Sequence, residues 1–201
     1  MPQEPQERTR ITESVKKGIV GSIKGTGEIV NAVVDTVSGT LVNAIRETGA
    51  VGTALTSTVS DVVHGAIQGT RQVGGDVGDA AKGGMLGVLR GTRELGVETT
   101  DTISTSARAA VRGASEVGGD MATAAKNAVE GAITGAKEIG LNAEAAASAA
   151  ASGAIQGAGE ISSTAVDQVR NAVTGVIAGV KVVVKEPFAK ERPKKADRKA
   201  S

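Results

Sequence analysis

Across 201 residues the chain has no cysteine, tryptophan or tyrosine and one phenylalanine, Phe188. This excludes disulfides and thiolate metal sites and leaves few bulky side chains to fill a core, so a thin, extended object is expected. Lys and Arg number 23 against 22 Asp and Glu, a net charge of +1, with no overall excess to steer the chain toward nucleic acid.

In chain order, residues 1–11 are polar, contain Pro2 and Pro5, and lack the apolar run of a secretory signal. They are expected to form a disordered N-terminus. From Thr12 to Val184 a single phrase recurs every 22 residues without insertion or deletion, as in Gly65-Ala66-Ile67-Gln68-Gly69 and Gly131-Ala132-Ile133-Thr134-Gly135. Residues 12–184 therefore read as eight 22-residue helical repeats. One apolar column is Ile23, Ile45, Ile67, Leu89, Val111, Ile133, Ile155 and Ile177; a second is Ile29, Val51, Val73, Leu95, Val117, Ile139, Ile161 and Val183. Steps of three and four between apolar positions mark an amphipathic helix. Twenty-two is two elevens, and a hendecad of about 3.67 residues per turn tends to a right-handed supercoil. No proline lies between Pro5 and Pro187 to stop the helix. The expected fold is all-α: a long extended amphipathic helix of roughly 260 Å, or a few long helices in hairpins, with disordered termini.

Glycine opposes an isolated helix. The chain has 28, and each costs about 1 kcal/mol relative to alanine inside a helix. A lone helix would also leave its stripe in water. The monomer is accordingly expected to be marginal, becoming helical when something covers the stripe. Pairs such as Gly65 and Gly69, Gly87 and Gly91, Gly131 and Gly135, and Gly153 and Gly157 have a small-xxx-small spacing that permits close helix packing, between copies or within a hairpin. In one unit the pair is replaced by Asn43 and Glu47. A further column, Gly52, Gly74, Gly96, Gly118 and Gly140, falls on the apolar face of a continuous helix. Gly74-Gly75, Gly83-Gly84 and Gly118-Gly119 are either hinges or ordinary helical positions.

The polar face carries both signs, with Arg90 and Glu94 or Arg112 and Glu116 four apart, a spacing suited to solvated ion pairs along one helix. Residues 185–201 leave the repeat and hold a net charge of +4, a basic tail expected to be disordered. Only this tail offers nucleic acid or anionic lipid any attraction.

Units of Val, Thr, Gly, Ala and mixed charge, such as Val62-Val63-His64-Gly65-Ala66-Ile67-Gln68-Gly69-Thr70 and Thr123-Ala124-Ala125-Lys126-Asn127-Ala128-Val129-Glu130-Gly131, resemble the lipid-surface helices of synucleins and perilipin-type droplet coats. Late-embryogenesis-abundant proteins and phasins are similar in a looser way. The resemblance implies a chain that is disordered when free and helical on lipid, or a protectant during drying.

Nothing in the sequence converges toward catalysis. His64 is the only histidine and shares its column with Val42, Leu86, Arg108 and Glu130, so it reads as incidental. No phosphate-binding loop occurs, and no metal-ligand spacing. The expected protein is not an enzyme and takes no cofactor, metal or small-molecule substrate. It is a structural or interaction protein that reversibly coats a lipid or other apolar surface through the two columns above, cytoplasmic or peripheral at a membrane or granule. The alternatives are a self-assembling right-handed bundle or filament, and a desiccation protectant.

Overall fold

Four glycines at a 22-residue spacing cut the helical ribbon into units. Gly74, Gly96, Gly118 and Gly140 have φ of 74°, 66°, 67° and 78°, a left-handed conformation that glycine enters without steric penalty. The residue after each glycine donates its N–H back into the preceding turn: Gly75 to Thr70 O at 2.9 Å, Val97 to Thr92 O at 3.1 Å, Gly119 to Ala114 O at 2.7 Å and Leu141 to Ala136 O at 2.8 Å. This is the Schellman closure of a helix C-terminus. Restart signals follow. Asp76 accepts from the N–H of Asp79, Asp120 from those of Ala122 and Thr123, Asn142 from that of Ala145, and the Ser162 hydroxyl from that of Ala165. Each satisfies donors that the first turn leaves open.

The computed structural model describes residues 5–26, 28–49, 53–97 and 100–184. Among them are eight helices: α1 (Pro5–Thr26), α2 (Ile29–Thr48), α3 (Thr53–Gln72), α4 (Val77–Leu95), α5 (Thr100–Glu116), α6 (Met121–Ile139), α7 (Ala143–Gly159) and α8 (Ser163–Val173). A hairpin of β1 (Gly175–Ile177) and β2 (Val180–Val182) follows.

Helices two apart in sequence pack side by side and run the same way. Gly65 and Gly69 of α3 face first Thr12 and Val15, then Lys16 and Ile19, of α1; Gly83 and Gly87 of α4 face first Val30 and Val33, then Val34 and Val37, of α2. The odd helices thus form one layer and the even helices another, and consecutive helices meet across the two. The apolar stripes close on each other between the layers. Val15, Val37, Val63, Ile67, Met85, Leu89, Val111, Val129 and Ile133 are all within 1% of complete burial. Alanine dominates the core of α6 and α7.

The last unit departs from the others. Its phrase Gly175-Val176-Ile177-Ala178-Gly179 matches the helical phrase of earlier units, yet α8 stops at Val173. The two strands pair antiparallel, with Ile177 opposite Val180. Ala178 and Gly179 both have positive φ, 48° and 79°, as a tight hairpin turn demands. Val176, Val180 and Val182 bring β-branched character where the preceding unit has Ala154, Ala158 and Glu160.

These observations correct the expected architecture. The chain is not one extended helix, nor a few long hairpins; among the described residues eight short helices pack against one another, and the 22-residue unit is one helix with its turn. The glycines of the Gly74 to Gly140 column lie in the turns, not on an apolar helix face. Gly74-Gly75 and Gly118-Gly119 are chain reversals, while Gly83-Gly84 sits inside α4 against Val33 and Val63. The helix expected to reach Val184 ends eleven residues earlier. At the other end α1 already begins at Pro5, inside the segment expected to lack structure. The basic tail, 185–201, and Gly52 lie outside the described residues. The physical reason is burial: a left-handed glycine followed by an N-cap satisfies both broken helix ends, and folding back lets each stripe be covered by its neighbours.

Two outcomes follow. Far-UV circular dichroism and sedimentation velocity of dilute protein will show a helical monomer whose helicity does not change with concentration. Glycine substitutions will divide by site. Gly39 is an exposed position of α2 with nothing within 4 Å of where a Cβ would stand, so Gly39→Ala will stabilise by about 1 kcal/mol in urea unfolding. A Cβ on Gly87 would stand 2.8 Å from Val34 O and 2.9 Å from Val37 Cβ, so Gly87→Ala will destabilise by about 1–3 kcal/mol.

Candidate functional site

The columns expected to meet a partner are largely consumed by the core. Ile45, Ile67, Leu89, Val111, Ile133, Ile155 and Ile177 are all 5% exposed or less. Ile29, Val73, Leu95, Val117 and Ile139 are half-buried near helix ends, and Ile161 is 39% exposed in the turn before α8. The Ile23 side chain and Val51 lie outside the described residues. The paired glycines sit between parallel helices of this same chain: Gly65 and Gly69 against α1, Gly87 and Gly91 against α2, Gly131 and Gly135 against α4, and Gly153 and Gly157 against α5. The columns therefore do not present a continuous free face in this fold.

Besides exposed Leu141, Ile161, Val176 and Val183, what remains outside is largely polar and ordered by the repeat. In the even layer Arg46 of α2 pairs with Glu94 of α4 at 2.8 Å, and Arg90 and Lys82 of α4 pair with Glu138 and Glu130 of α6 at 3.5 and 3.6 Å. In the odd layer Arg108 and Arg112 of α5 both reach Glu160, which follows α7. Arg46–Glu94 and Arg90–Glu138 each span 48 residues, two repeats plus one helical turn. The basic and acidic columns thus bridge neighbouring helices of a layer. Of the four-apart pairs expected along one helix, Arg112 and Glu116 stand 4.0 Å apart.

A polar groove of about 510 Å³ lies along α1, α3 and α5, lined by Arg8, Thr12, Glu13, Ser60, Asp61, His64, Gln68 and Arg112 among others. Arg8 grips Asp61 with a fork, Nη2 to Oδ1 at 3.0 Å and Nε to Oδ2 at 3.1 Å. Asp61 is 6% exposed, the one buried charged residue among the described residues. Its hydrogen bonds, then its charge, hold the Arg8 guanidinium above its ordinary pKa. His64 lies at the repeat position of Arg108, and its Nε2 stands 3.0 Å from Glu116 of α5 and 2.7 Å from the Gln68 amide. A protonated Nε2 donates to Glu116, whereas a bare one accepts from Gln68. The groove's histidine and both its arginines are each engaged by a carboxylate. No group of three His, Asp or Glu able to hold a metal ion occurs among the described residues.

In linear order His64 reads as incidental, and neither Arg8 nor Asp61 stands out. The signal in the sequence is the periodic offset between basic and acidic columns, which becomes a contact only when helices two units apart are neighbours. Among the described residues, no helix is long and apolar enough to cross a membrane. No protein-family model matches this chain, and no curated protein matches it.

The groove pair and the exposed rungs will behave differently. Arg8→Ala leaves a nearly buried carboxylate without its partner and will cost about 1 kcal/mol or more in thermal or urea unfolding. Arg46→Ala removes a rung whose partners are 61% and 53% exposed, and will change stability by no more than a few tenths of a kcal/mol.

Proposed function

We propose that this chain is a non-enzymatic interaction protein that binds a lipid or other apolar surface by opening its helical array. The folded form stores the apolar stripes against one another, and the surface substitutes for that mutual cover. The observation that carries this reading is the make-up of the core. Among the described residues the helices bury their apolar sides against one another, and the buried residues are mainly alanine and valine, with no aromatic side chain. Small side chains bury less area each than aromatics, so separating two helices here forfeits less than in an aromatic-rich core. Interfacial helices are held by the sum of many such modest contacts. Glycine turns such as Gly74 and Gly118 lie between the units and absorb the backbone rotation that opening demands.

The absence of native cysteine makes a clean test available. A Cβ on Gly91 would lie 3.6 Å from Leu41 Cβ, and one on Gly18 would lie 4.0 Å from Thr36 Cβ, both within disulfide range. A variant with Gly91→Cys, Leu41→Cys, Gly18→Cys and Thr36→Cys ties α2 to α4 and α1 to α2. The reduced protein will co-float with oil droplets or phosphatidylcholine vesicles and remain helical. The oxidised protein will stay at the bottom of the gradient. Equal flotation of both forms would remove the opening step, and flotation of neither, with wild type also failing, would remove the surface.

A further inference from the structure

A stack of identical units continues until something ends it, and both ends of this array differ from its interior. On α5, Ser104 and Arg108 receive Gly153 and Gly157 of α7. Two units later the same positions on α7 are Ser148 and Ser152, where a ninth helix would dock. The hairpin has taken that place. β2 packs on α7, the Ser148 hydroxyl donates to Val183 O at 2.7 Å, and Ile177, Val180 and Val182 turn inward at 4%, 9% and 5% exposure.

The opposite end offers the complementary surface, half obstructed. Gly21 on α1 holds the repeat position of Gly65 and Gly153, with nothing within 4 Å of where a Cβ would stand. Its neighbour α2 has Asn43 and Glu47, both exposed, where α4 and α6 have glycine pairs. The interior seam admits little there: at Gly87 an added Cβ would already approach Val34 O to 2.8 Å. Side chains the size of Asn43 and Glu47 hold off a further helix.

We propose that the C-terminal hairpin is an autoinhibitory cap over a head-to-tail docking face, and that Asn43 and Glu47 are the matching block at the other end. With both removed, α7 of one copy receives α1 of a second in the geometry that α5 and α7 already share. The occupant is a second copy because the interface is the continuation of one that the chain makes internally at every odd helix. This goes beyond the lipid reading and does not depend on it.

Two variants test it. Ile177→Asp with Val180→Asp unseats the hairpin and frees the α7 end. Asn43→Ala with Glu47→Gly, copying Ala109 and Gly113 of α5, frees the α1 end. In sedimentation velocity each alone will remain a monomer, because each still has one blocked end. An equimolar mixture will form a species of twice the monomer mass and go no further. All four substitutions in one chain will produce longer polymers, and adding Gly21→Arg will return these to monomers. A mixture that stays monomeric while both proteins remain helical and melt cooperatively overturns the proposal. Should the hairpin variant lose its helicity, hydrogen exchange of the wild type decides. The cap requires the amides of 175–182 to open and exchange while those of α7 stay protected. Loss of protection in both as one step overturns it.

Discussion

Close backbone approach between parallel helices is the constraint on which this structure rests. A core without tryptophan or tyrosine cannot fill wide gaps between helices, so the helices must come together until small side chains and backbone meet. Glycine makes that possible at the seams. Beside Gly65, Gly87, Gly131 and Gly157 there is no room for even a methyl group at ordinary contact distance. The helix-propensity penalty of these glycines is thereby offset by contacts that any larger residue would forbid. Where a seam position has no neighbour, as at Gly21 and Gly39, glycine only lowers helix stability.

The same spacing organises the surface. Two units plus one helical turn separate Arg46 from Glu94 and Arg90 from Glu138, so one offset places opposite charges on adjacent helices of a layer repeatedly. These rungs are mostly exposed and individually weak, and their regularity favours one register of stacking over its neighbours. Asp61 differs because it is nearly buried. The Arg8 fork stands between it and an unpaired charge inside the fold, which ties the start of α1 to α3. The groove beside it brings His64 of α3 to Arg112 of α5, and Glu116, four residues after Arg112, reaches both; nothing in linear order connects His64 to that pair.

The last described unit breaks the helical pattern of the array. The final unit keeps the glycine phrase of its predecessors, but its valines favour strands. Ile177, Val180 and Val182 then fold over the face that a further helix would have used. The same five-residue phrase is helical inside α6 and a hairpin after α8, so neighbouring residues and available partners decide its conformation.

The 22-residue period, the helical character of each unit, the apolar columns and the close-packing role available to paired glycines are all properties of linear order, because helical geometry converts spacing directly into faces. The Gly74 to Gly140 column is visible there as well, yet a glycine in a helical pattern reads equally as a tolerated interior residue or as a left-handed stop. Asp76, Asp120 and Asn142, two residues later, are the caps that distinguish the two, and they become decisive only when folding back also covers the stripes. Tertiary structure alone decided which helices are neighbours. That pairing buried the Ile67 column inside the chain, turned intrahelical charge spacing into bridges between helices, and assembled the groove around Arg8, Asp61 and His64. Local spacing specifies faces; which face covers which is set by the total burial achieved, a quantity no single unit contains.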